Sequence, residues 1–316
     1  MSNLIALELA RALARRVTKL FAVGALAAIL TAGIAVFFAH SGRVAEAPSL
    51  ESRPEYTACL RGDFLAPGEE IVLPDEGAVA SPAIGTAERE EFCRTAVEAF
   101  TFDPGLDDRY HFASFQGALL GTTPPLSMLA LILGATLIGA EWRANTIATQ
   151  LTWEPRRIRV LAAKAIVAAL MGAAFYLLVQ VVLGGALTPA ALWRGTTEGI
   201  DGAWWRESIG ILARGSAFAA MSATIGFAIA TVGRNTTAAL GVMFGYFAIL
   251  EGTLLGNIWP WIRRWLMIGN SIVFVGGESS PDIAGRSVIG AGILLGIYAA
   301  GAWALSALWF SRRDVT

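Results

Sequence analysis

The sequence predicts an all-α membrane protein: six transmembrane helices, an N-terminal amphipathic interfacial helix, and an extracytoplasmic insert between the first and second spans. Three observations lead there. Of 316 residues, 55% are hydrophobic and 16% charged, and the mean hydropathy of +0.57 lies beyond an ordinary soluble domain. Apolar runs of about 20 residues, the length a helix needs to satisfy its backbone across hydrocarbon, recur along the chain. Lys and Arg gather at one set of ends of these runs, as the positive-inside bias requires.

Residues 1–19 place Glu8, Arg11, Arg15 and Lys19 on one helical stripe opposite Leu4, Leu9, Leu13 and Val17, which predicts a helix lying on the inner membrane face. The first span follows from about Leu20 to Ala39, within residues 20–40. It is longer than a secretory signal core and lacks a small-x-small cleavage site, so it reads as a retained anchor. Residues 41–123 then change character, with Pro48, Pro54, Pro67, Pro74, Pro82 and Pro104 and an excess of acids. A segment this long predicts a small folded subdomain or ordered lid. Cys59 and Cys93 are the only cysteines, and both fall on the oxidising side, where one disulfide would staple a unit too small for a large core. His40 and His111 have no ligand spacing to them, so a zinc site is not expected. The acids, among them Glu69, Glu70, Asp75, Glu76, Glu88, Glu90, Glu91, Asp107 and Asp108, read as a solvated surface.

Residues 124–316 carry the other spans: about Pro125–Ala140, Ile158–Leu187, Ser208–Val232, Thr237–Gly256 and Val288–Phe310. Arg11, Arg15, Arg16 and Lys19, then Arg143, Arg156, Arg157 and Arg159, then Arg234, then Arg312 and Arg313 all fall on one side. That side is the cytoplasm, with both termini inside and the chain multi-pass in the cell membrane. Arg263 and Arg264 fall on the other side, where Trp259, Trp261 and Trp265 would anchor them at the interface.

The chain lacks a phosphate-binding Gly-x-x-x-x-Gly-Lys-Ser/Thr loop, a His-Glu-x-x-His helix, a Gly-x-Ser-x-Gly turn and a Cys-x-x-Cys pair, so no catalytic, cofactor or metal residue is expected. Ionisable residues inside spans are costly and become functional candidates. Arg214 and Glu251 lie at similar depth on neighbouring spans, where they would form an intramembrane ion pair. That pair would line an outward vestibule or serve structure alone, and independent snorkelling is the alternative. Gly241-x-x-x-Gly245 and Gly292-x-x-x-Gly296 allow close helix contact within or between subunits.

The stretch between the second and third spans is the one that lipid alone does not explain. Asn145, Thr146 and Thr149 can cap a short helix, Pro155 ends it, and Arg156, Arg157 and Arg159 re-enter at headgroup level. Glu141 and Lys164 could pair across this hairpin. Here the sequence resembles the permease subunits of type-2 ABC transporters, on Gly139, Glu141, Thr146, Pro155, Arg156, Arg157 and Lys164. The ending Trp309-Phe310-Ser311-Arg312-Arg313-Asp314-Val315 is similar to that family's tail. The chain departs from the pattern in carrying Asn145-Thr146 where Gly-Thr is usual, and in its large insert.

The resemblance implies a transmembrane permease of an ATP-driven exporter, a homodimer that binds two separately encoded cytoplasmic ATPase subunits. ATP and Mg would sit on those partners, with none bound here, and no nucleic acid is expected. The coupling helix would span residues 143–155. Its contacts would come from Glu141, Arg143, Thr146, Thr149, Trp153, Glu154, Pro155, Arg156, Arg157 and Lys164. An ion-coupled carrier would call for inverted repeats and midplane charges, and an outer-insert scaffold gives no reason for the polar hairpin.

Overall fold

The computed structural model describes residues 2–43, 54–63, 67–68, 70–73, 77–100, 107–247, 251, 260–279 and 285–312. Pro48, Pro74, Pro104, Glu69, Asp75, Glu76, Trp259, the outer end of the expected fifth span and the tail from Arg313 lie outside the described residues. The chain is mostly helical, and among the described residues five helices are long and apolar enough to cross a membrane. It divides into two compact units. One comprises residues 1–36, 111–189 and 197–316; the other comprises 37–110 and 190–196.

The first unit holds the helices. The N-terminal α1 (Ser2–Ala14) stops short of the expected Lys19, and α2 (Arg16–Ala39) begins after a break at Arg15. The break is held by Thr18 Oγ1, which donates to the Ala12 carbonyl at 2.7 Å. Further on come α5 (Phe115–Arg143), α6 (Thr146–Trp153), α7 (Arg157–Arg194) and α8 (Gly202–Gly233). The 38 residues of α7 rise about 57 Å, well past a hydrocarbon core of about 30 Å.

Between helices in lipid there is little hydrophobic drive, so close packing of small residues does the joining. Gly134 of α5 lies against the Ala223 carbonyl of α8, and Gly226 of α8 lies reciprocally against the Leu131 carbonyl. A Cβ on Gly172 of α7 would come within 2.8 Å of the Ala219 carbonyl. Buried polar groups are satisfied across the same joint. Thr123 Oγ1 and the Tyr176 hydroxyl are 2.8 Å apart, and Gln180 Nε2 donates to the Leu119 carbonyl at 3.2 Å and to Thr122 Oγ1 at 2.9 Å. These bonds sit just ahead of Pro124 and Pro125, which remove two backbone donors inside α5.

The glycine pairs singled out in the sequence do not make this joint. Gly241, Gly245 and Gly296 face open space, and Gly292 packs on Phe274. Where a fifth continuous span was expected, α9 (Thr236–Phe244) passes into a wider turn through Phe247. Beyond the 3-10 segment Pro260–Trp265 lies a ten-residue helix, α10 (Met267–Gly276), between the expected fifth and sixth spans. The last helix, α11, covers Val288–Arg312.

The second unit is small. Helices α3 (Pro54–Arg61) and α4 (Ala87–Phe100) are joined by the Cys59–Cys93 disulfide. Around it pack Tyr56, Phe92, Ala96 and Val97, with Ile71 and Val79 from the hairpin β1 (Glu70–Leu73) and β2 (Gly77–Ala80). The hairpin is antiparallel, with Glu70 opposite Ala80. Arg89 is wholly buried and satisfied by oxygen atoms: Nε and Nη2 donate to the Cys59 carbonyl at 3.0 and 2.6 Å, and Nη1 to Pro82 O at 2.7 Å and Ser81 Oγ at 3.0 Å. In the same unit Asp108 Oδ2 accepts from the Ser41 backbone at 2.8 Å. The Ser41 contacts hold that carboxyl below its usual value of 3.8.

Candidate functional site

The polar hairpin forms around a chain turn that only a few residues adopt easily. Asn145 takes the left-handed conformation at φ 52° and precedes α6 without bonding it through its side chain. This corrects the expectation of an Asn145 cap, since asparagine is here for its tolerance of that backbone region. Thr146 Oγ1 instead reaches back to the Glu141 carbonyl at 3.4 Å. At the other end α6 stops at Trp153, and Pro155 precedes the start of α7 at Arg157. The helix is thus 146–153, shorter than the 143–155 expected.

Under α6 lies a buried charged quartet. Lys164 Nζ is 2.8 Å from Glu8 Oε2, 3.0 Å from Glu141 Oε1 and 2.7 Å from Glu141 Oε2. Arg15 Nη2 donates to Glu141 Oε1 at 2.7 Å, while its Nη1 donates to the Leu137 carbonyl at 2.7 Å and the Thr136 carbonyl at 3.2 Å. Gln150 Nε2 of α6 completes the set by donating to Glu8 Oε1 at 2.6 Å. Two carboxylates meet two inward cations here, and Arg11 reaches Glu8 Oε1 from the exposed side at 3.5 Å. Glu8 and Lys164 are 4% and 5% exposed, which makes each dependent on the others. Four helices, α1, α5, α6 and α7, are thereby tied at one point.

The expected pairing of Glu141 with Lys164 is present, whereas the stripes of the N-terminal helix are divided. Of the polar stripe, Glu8 faces the bundle and Arg15 reaches the same cluster while Arg11 and Lys19 are exposed; of the apolar stripe, Leu9 packs on the core while Leu13 and Val17 are exposed. The helical wheel located the polar stripe but could not tell a stripe facing water from one facing a buried charge. Glu8, Arg15 and Gln150 were therefore missed. One signal was available: Glu8 is the sole acid before Glu46.

Outward from the quartet, the α6 surface is open. Trp153 is 87% exposed and stands at the rim of a cleft of about 730 Å³ between α1 and α6, with Leu4, Leu7, Arg11, Thr149 and Glu154 among its lining. Glu154 also lies 3.9 Å from Arg159. Arg143, Pro155 and Arg156 are exposed, and Arg156 and Arg157 line a second, shallow depression with Ile158 and Ala162. Trp142, at the end of α5, takes the Arg234 guanidinium over its ring at 4.8 Å and meets Phe310 edge-on.

Arg214 and Glu251 do not form the expected ion pair. Each instead serves one end of α10. The Ile268 N–H donates to Glu251 Oε1, and the Met267 N–H approaches the Tyr246 hydroxyl at 3.4 Å. At the far end Arg214 Nε donates to the Val275 carbonyl at 3.1 Å and Nη2 to the Gly276 carbonyl at 3.4 Å. Leu266, at the N-cap, offers no side-chain acceptor, so the orphan donors of a helix start take a carboxylate from elsewhere. A negative group at the start and a positive group at the end both match the helix macrodipole. Among the described residues no group of three or more His, Cys, Asp or Glu could hold a metal. No protein-family description, curated protein or solved structure matches the chain.

Proposed function

We propose that this chain is the membrane-spanning subunit of an ATP-driven exporter of the type-2 ABC class, with α6 as its contact to a separately encoded ATPase. The observation that carries the reading is the buried quartet beneath α6. A soluble partner that pushes on Trp153 and the neighbouring cleft would act on α1 through the Gln150–Glu8 bond, and the charged quartet behind it joins α1 to α5 and α7. Exposed tryptophan and arginine are also the residue types that anchor interfaces. In this reading the arginine-rich ends and both termini face the cytoplasm of a cell membrane, the permease works as a homodimer with two ATPase subunits, and the short α9 and α10 together take the place of a sixth span. ATP and Mg belong to the partner.

Co-expression with the ATPase encoded beside it tests the proposal. A complex whose ATPase activity depends on reconstitution into vesicles is the expected result, and absence of association would refute it. Deletion of Thr146–Trp153, or Glu154→Arg, is expected to abolish recruitment of the ATPase while membrane insertion persists. If the altered chain still recruits the ATPase, α6 is not the contact.

A further inference from the structure

A further cavity, of about 300 Å³, lies among α5, α8, Phe247 and α10. Its volume is at the low end for small-ligand sites. Pro124, Pro125, Leu131, Phe218 and Met267 give it an apolar wall, and among the described residues no ionisable side chain lines it. Met128, Ile268 and Ile272 stand at its exposed side, so it opens on the outer face of the helices, toward the hydrocarbon in a membrane.

Three serines punctuate this wall. Ser222 Oγ donates to the Phe218 carbonyl at 2.9 Å and Ser271 Oγ to the Ile268 carbonyl at 2.7 Å, the usual way for a helical hydroxyl to satisfy itself. Thr122 and Thr123 do the same one turn earlier on α5. Ser127 does not. It is 4% exposed, lines the cavity, and its Oγ has no hydrogen-bond partner among the described residues. A buried hydroxyl without a partner costs free energy that a bound acceptor would return.

We infer that this cavity binds one uncharged acyl ester, its chain along the Pro125–Leu131–Phe218 wall and its carbonyl oxygen accepting from Ser127. The absence of lining charge excludes carboxylates and amines, because each would be buried unpaired. A plain hydrocarbon would fill the volume and leave Ser127 unmet. The single donor therefore selects for a molecule with one acceptor along an apolar chain. This site needs no ATPase and stands apart from the transport reading.

The test uses the intact chain alone in phosphatidylcholine nanodiscs, with a photoreactive monoacylglycerol and a photoreactive alkane of equal length. The expected result is ester-probe labelling at Met128, Phe247 or Ile272 that excess unlabelled monoacylglycerol removes and the alkane does not match. Ser127→Ala should reduce that labelling about three- to tenfold, the worth of one hydrogen bond. Met128→Trp, at an exposed position that leaves the helix joint untouched, should block it. Labelling by the monoacyl probe alone supports the proposal; equal labelling by a photoreactive diacyl phospholipid, whose headgroup is charged, would overturn it. Equal labelling by ester and alkane, labelling spread over lipid-exposed positions such as Ile289 and Ile293, or crosslinks from Met128 to a second copy of the chain would each overturn the proposal.

Discussion

Lys164 shows how little a single charge in this protein stands alone. It neutralises two carboxylates from helices far apart in sequence, and Arg15 shares one of them. Lys164→Met would remove the one cation that bridges both acids, leaving Glu141 with Arg15 and Glu8 with the exposed Arg11 at 3.5 Å, and is expected to cost about 3–5 kcal/mol. Replacing Glu8 and Lys164 together, as Glu8→Gln with Lys164→Met, should recover most of that loss, since it removes one charge of each sign and leaves Glu141 paired with Arg15. Thermal unfolding of the purified variants in detergent reads both effects; a double variant no more stable than the single one would show that the quartet's hydrogen bonds, and not its charge balance, matter. At this scale the sequence was half legible. Glu141 and Lys164 flank one hairpin, so their spacing reveals them, whereas Glu8 reaches them only through a tertiary turn that no local pattern encodes.

Among the elements, α10 is the one whose existence the sequence concealed. Ten residues are too few for a span and too apolar for a recognisable surface helix, so neither length nor periodicity marks it. Its ends explain two otherwise puzzling residues. Glu251 and Arg214 stand at opposite ends of this short helix, about 15 Å apart along it, and each answers one end of its dipole. A direct ion pair would survive exchange of the two charges. Here exchange is expected to do the reverse: Arg214→Glu with Glu251→Arg would place like charge against both ends of α10. The double variant should therefore show faster amide hydrogen exchange across Met267–Gly276 than either single variant. Exchange restored to the parental rate would reinstate the pair. The long helices, by contrast, were legible almost to their ends. Their extensions came from turns such as Phe115–Thr123, where polarity hid a helix that continues beyond the apolar run.

For the whole molecule, the two units differ in what holds them. The helical unit rests on glycine contacts and buried hydrogen bonds, while the smaller unit closes a 34-residue separation with one disulfide. In the chain-entropy picture such a link contributes about 4 kcal/mol, a large share for so small a core. Reduction, or Cys59→Ser with Cys93→Ser, should release Phe92 and Val97 to protease or dye before the helical unit is affected, which limited proteolysis can follow. Simultaneous loss of both units would mean that they unfold as one. The disulfide and the change of character after the first span were visible in composition. The buried Arg89 was not, because nothing in a surface-like run of Ala-Glu-Arg-Glu-Glu marks which charge turns inward.

The quartet also sets an order of events. Glu8 leaves the ribosome 156 residues before Lys164, and Glu141 follows it by most of that interval. Throughout that time the early carboxylate has neither its lysine nor its glutamine, so α1 has no settled place against the bundle. Its docking reports that α5, α6 and α7 have all arrived. A chain halted before α7 would hold Glu8 with Arg11 of its own helix as partner and without Lys164, a chemical mark by which an incomplete membrane protein can be told from a finished one.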